Sequence, residues 1–176
     1  KPFRHNRKTV TIMTQQTIKT NYSALSTLVT VFFFWGFIAS GNGVFIPFCK
    51  NYFHLDQFQS QLIDFAFYGA YYLGALLLFF ISVFRKSDLV SGWGYKRSIV
   101  YGLLFSLIGS IAMIIAVQTG SREHGFSFFL FAFFILALGF SLQQTAANPF
   151  AMLLGDPATG SHRINLGGGV NSFGTT

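Results

Sequence analysis

The sequence predicts an all-α integral membrane protein: a bundle of four transmembrane helices and the start of a fifth. Three observations carry that expectation. Of 176 residues 52% are apolar and only 10% charged, with a mean hydropathy of +0.51, whereas a domain that faces water keeps about a quarter of its residues charged. The apolar residues fall in long uncharged tracts that reach or exceed the roughly 20 residues needed to cross a bilayer. They also lack the strict alternation of barrel strands, and a backbone in lipid that satisfies its own hydrogen bonds forms helices.

The first span is expected over residues 22–48, which are 27 residues without a charge. At about 1.5 Å per residue that outruns the roughly 30 Å of hydrocarbon. The second covers 59–84, broken only by Asp64; the third, 98–117, is wholly uncharged; the fourth covers 126–154. Residues 164–176 open a further apolar stretch that stops after 13 residues, so the sequence reads as a fragment. Residues 1–21 form a tail without the apolar core and cleavage site of a removable signal peptide. Met13 is a candidate true start, with residues 1–12 upstream of it.

A net charge of +7 would point to nucleic acid in a soluble protein, but here the basic residues sit at the edges of apolar tracts. Counting Lys and Arg between spans gives ten on the side of the N-terminus and two, Lys50 and Arg122, on the other. That places the N-terminus in the cytoplasm, and six against two remain if everything before Met13 is discarded. No nucleic-acid partner is expected. The single Cys49 excludes a disulfide framework and a cysteine metal cluster within the chain. His54, His124 and His162 show no ligand spacing. Gly167-Gly168-Gly169 lacks the Lys-Ser/Thr of a phosphate loop, so neither metal nor cofactor is expected.

Small residues recur every fourth position as Ala66, Ala70 and Gly74 in the second span and Gly102, Ser106 and Ser110 in the third. Such faces let helix backbones approach closely where lipid supplies no hydrophobic drive. Polar residues inside spans need a partner or a watery cavity. In the first span Ser40 and Asn42 lie among Gly41, Gly43 and Pro47, which is the composition either of a helix broken to face a ligand or of a packing kink with Asn42 bonded to a neighbour. In the fourth, Gln143, Gln144, Thr145 and Asn148 precede Pro149. Amides both donate and accept, which suits a hydroxyl-rich ligand such as a sugar and equally suits bonds between helices. Asp64 is the one carboxylate within a span: either a coupling-ion or proton site, or an interfacial charge about two turns from the outer end.

Several strings resemble one family. Leu142-Gln143-Gln144-Thr145-Ala146-Ala147-Asn148-Pro149-Phe150, followed by Leu154-Gly155-Asp156-Pro157, His162-Arg163-Ile164-Asn165-Leu166 and Asn171-Ser172-Phe173-Gly174, is similar to the fourth-to-fifth helix region of the fucose permease and glucose/galactose transporter family of the major facilitator superfamily. Trp35-Gly36-Phe37 with Asn42 and Pro47 resembles its first helix, residues 64–71 its second, and Gly94-Tyr95-Lys96-Arg97 its basic loop. The resemblance implies a twelve-helix carrier of two six-helix halves in a bacterial inner membrane, moving a hexose by alternating access. This chain would hold four helices and part of a fifth, residues 22–176 being part of the N-terminal half. It implies Ser40, Asn42, Gln144 and Asn171 as sugar-cavity residues, with Asn148 and Pro149 structural.

Departures bear on mechanism. Proton-coupled members carry an Asp in the first helix and a Glu in the fourth, where this chain has Gly43 and Gln144, neither of which titrates. A fifth-helix glutamine of the family falls on Gly168. A glucose/galactose type fits better than a fucose type, its coupling cation being sodium or a proton taken up elsewhere, with Asp64 the local candidate. The superfamily's loop Asp is replaced by Ser91, with Asp88 nearby. Arg85, Lys86, Lys96 and Arg97 would hold helix ends in gating, meet anionic lipid headgroups, or simply set topology. A facilitator for another small polar solute, or a four-span scaffold or channel, are the competing readings. No nucleophile and base stand together at cavity depth, so an enzyme is not expected.

Overall fold

The computed structural model describes residues 19–119 and 122–176. Met13, most of the N-terminal tail and the side chain of His124 lie outside the described residues. The elements are α1 (Tyr22–Phe53), α2 (Gln57–Arg85), α3 (Leu89–Trp93), α4 (Tyr95–Thr119), α5 (Arg122–Leu153), a 3-10 turn (Pro157–Thr159) and α6 (Gly160–Gly174). Among the described residues four helices, α1, α2, α4 and α5, are long and apolar enough to cross a membrane. The spans run beyond the uncharged tracts because their ends reach the polar interface. Thus α1 carries on past Lys50, and α4 begins before Lys96 and Arg97. The five-residue α3 was not anticipated; Asp88 starts it by accepting from the N–H groups of Val90 (3.1 Å) and Ser91 (3.2 Å).

Each corner has a local cause. Asn21 caps α1 by accepting from the Ala24 N–H at 3.1 Å, and His54 ends it in the left-handed conformation with φ 54°. Asp56 and Gln59 form a reciprocal capping box at the head of α2, which satisfies two of the donors a helix start leaves open. Lys86 ends α2 with φ 50°.

Helix α5 is the centre of the bundle. Against it α4 lies very close: a Cβ on Gly102 or Gly109 would collide with α5 atoms of Gln143 and Leu136, and the Ser106 hydroxyl donates to the Leu136 carbonyl at 3.2 Å. On α2, Gly74 faces Ser141, whose hydroxyl donates to the Tyr71 carbonyl at 2.8 Å. The small-residue faces therefore do what spacing four predicts. A third such seam, Gly36 of α1 against Gly174 and the Asn171 carbonyl of α6, was not anticipated.

Helix α1 is continuous through residues 40–47, so of the two expectations for that cluster the broken helix is corrected. A break would strand several carbonyls in hydrocarbon, whereas Pro47 removes only the N–H that would serve Gly43. Gly41 and Gly43 have open space beside them. In the half of the bundle away from the N-terminus the core is aromatic: Phe45 meets Phe129 and Phe133 with ring centres 5.7 and 5.8 Å apart, and Phe67 meets Phe133 at 5.4 Å.

Arg163, which the sequence offered as a basic residue and as part of a family-like string, is buried. Its guanidinium donates to the carbonyls of Ala151 (2.7 Å), Met152 (2.7 Å) and Asp156 (2.9 Å), and to the Thr159 hydroxyl (2.7 Å). These include carbonyls at the end of α5 that have no partner in the helix itself. The Leu154 carbonyl takes the N–H of Asn21 at 2.8 Å, so the tail before α1 joins the same knot.

Candidate functional site

Consecutive residues on a helix lie about 100° apart, so the two glutamines of α5 face different neighbours. Gln143 is fully buried; its Oε1 accepts from the Trp35 indole N–H at 3.0 Å and its Nε2 donates to the Ser106 hydroxyl at 3.1 Å. It joins α1, α5 and α4 and leaves Trp35 with only an apolar ring to offer elsewhere. Gln144 turns instead into a cavity of about 150 Å³ between α1, α2 and α5, lined also by Trp35, Ala39, Phe67, Tyr68, Tyr71 and Phe140. There the Tyr71 hydroxyl donates to the Gln144 Oε1.

This is an amide and two phenols set in aromatic walls. Such a surface can stack on the apolar face of a ring while exchanging hydrogen bonds with its hydroxyl groups. At about 150 Å³ the cavity is smaller than the roughly 300–1,000 Å³ of pockets that enclose a small ligand, so by itself it does not enclose one. Larger grooves of about 530 and 620 Å³ lie along α2, one against α4 and α5, the other against α5. Their linings are almost wholly hydrocarbon and offer little to orient a polar solute.

The other sequence-derived candidates lie apart from this cavity. Ser40 is exposed, and its hydroxyl donates to the Thr175 carbonyl at 3.0 Å. Asn171 donates through Nδ2 to the Phe32 carbonyl at 3.0 Å. Both bonds run along the α1–α6 seam. Asn42 is buried, about two turns after Trp35 and about one turn before Phe45 along α1, and its Nδ2 has no hydrogen-bond partner. Asn148, one turn beyond Gln144, is exposed. Asp64 is half-buried and stands one and two turns from Tyr68 and Tyr71 on one side of α2, about 10 Å along the axis from Tyr71 at 1.5 Å per residue. Arg85, Lys86, Lys96 and Arg97 are exposed at the end of the bundle where α3 connects α2 to α4. Asp88 directs its carboxylate to the N-terminus of α3.

Sequence reasoning missed Phe67, Tyr68 and Tyr71 as site residues. The available signal was their helical spacing with Asp64, which puts all four on neighbouring parts of one face.

Comparison with known proteins gives three groups of relatives. The chain is 40% identical over 164 residues to a glucose/galactose transporter of Brucella abortus, a match covering 93% of this chain and 37% of that protein. It is 36% identical over 156 residues to a putative glucose/galactose transporter of Helicobacter pylori, covering 89% of the chain and 35% of the relative. It is 33% identical over 147 residues to an L-fucose-proton symporter of Escherichia coli, covering 84% and 31%. The chain thus spans only about a third of the length of these curated relatives. No family model matches the sequence, and no solved structure matches it.

Proposed function

We propose, for a chain that is a homologue of the glucose/galactose transporters and L-fucose-proton symporters of the fucose permease family, a part in the secondary active transport of a hexose by alternating access. Its relatives are transporters, not enzymes. Glucose or galactose is the favoured cargo and fucose the second. The chain would supply the first part of a twelve-helix carrier, residues 22–176 belonging to its N-terminal half and 1–21 forming a cytoplasmic tail, in a bacterial inner membrane. The excess of basic residues on the side of the N-terminus supports that orientation.

The observation that carries the reading is Gln144 set in an aromatic-walled cavity at the meeting of α1, α2 and α5. A sugar presents both oxygens to an amide and hydrocarbon to a ring, and Trp35, whose N–H is engaged by Gln143, offers the ring. Asn42, with a buried amide nitrogen that has no partner, is a further contact, reached when α1 shifts against α5. Ser40 and Asn171 would meet the sugar only beside the seam they already hold. The other wall would come from the rest of the carrier.

For coupling, Gln144 and Gly43 leave no acid on α1 or α5 at the positions where proton-coupled members have theirs. Asp64, on the side of α2 that carries Tyr68 and Tyr71, is the candidate for sodium or a proton. The exposed cluster of Arg85, Lys86, Lys96 and Arg97 suits both gating contacts and anionic lipid headgroups.

The test is counterflow of labelled glucose, galactose and fucose in vesicles that carry the complete transporter. Saturable exchange of at least one hexose is expected, and no saturable exchange of any would overturn the reading. Imposing sodium and pH gradients separately then identifies the coupling ion.

A further inference from the structure

We infer that Tyr71 is a positioning residue that fixes which end of the Gln144 amide meets the solute; this rests on the hexose site proposed above. A free glutamine amide can turn about its last bond and present either oxygen or nitrogen at almost equal cost. Here one end is taken. The Tyr71 hydroxyl donates to Oε1, which leaves the two N–H bonds of Nε2 for whatever enters the cavity.

Tyr71 favours the oxygen end because a phenol O–H donates well while its ring-conjugated oxygen accepts poorly, and the residue is itself held. Its backbone carbonyl accepts from the buried Ser141 hydroxyl at 2.8 Å, one turn before Thr145 on the same helix that carries Gln144. Gly74, one turn further along α2, lets the two backbones come this close. Residue 71 of α2 and residue 144 of α5 therefore keep a constant separation. With Trp35 spending its N–H on Gln143, Nε2 of Gln144 is a defined donor in an otherwise aromatic wall.

A fixed donor selects an acceptor. At the position of the sugar that faces Gln144 the protein would read an oxygen lone pair rather than a hydroxyl proton. Replacement of that hydroxyl by fluorine, which accepts weakly and cannot donate, should then be tolerated, and replacement by hydrogen should not.

The experiment uses the complete transporter in vesicles and measures how a series of monodeoxy and monofluoro analogues of the transported hexose competes with the labelled sugar. In the unaltered protein one ring position should lose about tenfold in apparent affinity on deoxygenation and keep most of it on fluorination, the size of one hydrogen bond in a desolvated site. Tyr71→Phe keeps the ring but frees the amide, so the difference between fluoro and deoxy analogues at that position should collapse to within about twofold. Gln144→Glu offers acceptors only; the fluoro analogue should then fall to the level of the deoxy one, and this variant checks the donor assignment without altering Tyr71.

A Tyr71→Phe protein that transports and retains the full fluoro–deoxy difference would overturn the role of Tyr71 and leave Gln144 in place. If Gln144→Ala and Gln144→Glu both leave the analogue pattern unaltered, the hexose site at Gln144 itself fails, and with it the premise. Should Tyr71→Phe fail to reach the membrane, the Gln144→Glu pattern decides: an undiminished fluoro analogue there overturns the assignment of Nε2 as the donor that Tyr71 exposes.

Discussion

The Trp35 indole N–H is bonded to Oε1 of the fully buried Gln143 at 3.0 Å, and the nitrogen of the same amide is bonded to Ser106 at 3.1 Å. One side chain thereby satisfies polar groups on two other helices at the point where three apolar helices converge. A single substitution tests that role. Gln143→Leu keeps the volume but strands the indole N–H in a dry interior, at a cost of about 1–3 kcal/mol. A lower melting midpoint in detergent is expected, whereas an unchanged midpoint would mean that the network adds nothing.

The adjacent glutamine should behave in the opposite way. Gln144→Ala shortens a half-buried side chain at the cavity wall, so folding and insertion should stand while sugar affinity drops about tenfold. Paired with Gln143→Ala, which should lower stability, it separates packing from recognition in two consecutive residues. Equilibrium sugar binding and melting, measured on both variants, check the contrast.

Glycines along one helix should differ as sharply. An alanine Cβ at Gly36 would collide with the Asn171 carbonyl of α6, while at Gly43 it would meet nothing within 4 Å. Gly36→Ala should cost about 1–3 kcal/mol through forced separation of α1 and α6, seen as loss of monodisperse protein on size exclusion. Gly43→Ala should be silent there.

Arg163 offers a fourth measurement. Arg163→Met removes the donor shared by the carbonyls of Ala151, Met152 and Asp156. Bonds to a charged group are worth roughly 1.5–3 kcal/mol each, so the corner between α5 and α6 should loosen before the rest of the bundle does. Hydrogen exchange confined to residues 152–160 should accelerate, and exchange that rises evenly along the chain would contradict a local role.

The spans were legible because uncharged tracts of bilayer length admit only one economical backbone conformation. Their ends were not, since Lys50, Lys96 and Arg97 can lie on a helix and still reach water with long side chains. Spacing also found the faces by which α2 and α4 meet α5, but a pattern of small residues does not name its partner. The seam of Gly36 with Gly174 joins helices distant in sequence and has no repeat to betray it. Composition does not separate Gln143 from Gln144, which only the family resemblance singled out; adjacent amides differ in helical phase, and the phase has meaning only once Trp35, Ser106 and Tyr71 are around them. The structural part played by Arg163 was hidden for a related reason: its charge was visible, and the carbonyls it serves were not.

The knot at Arg163 has a mechanical corollary. Its acceptors lie on α5 and the loop after it, its backbone is in α6, and the segment before α1 is fastened to the same place through Asn21. Three helices are splinted at one end of the bundle, so any movement should carry them as one lever. Bending would be left to junctions without such a splint, notably the short stretch between α2 and α3.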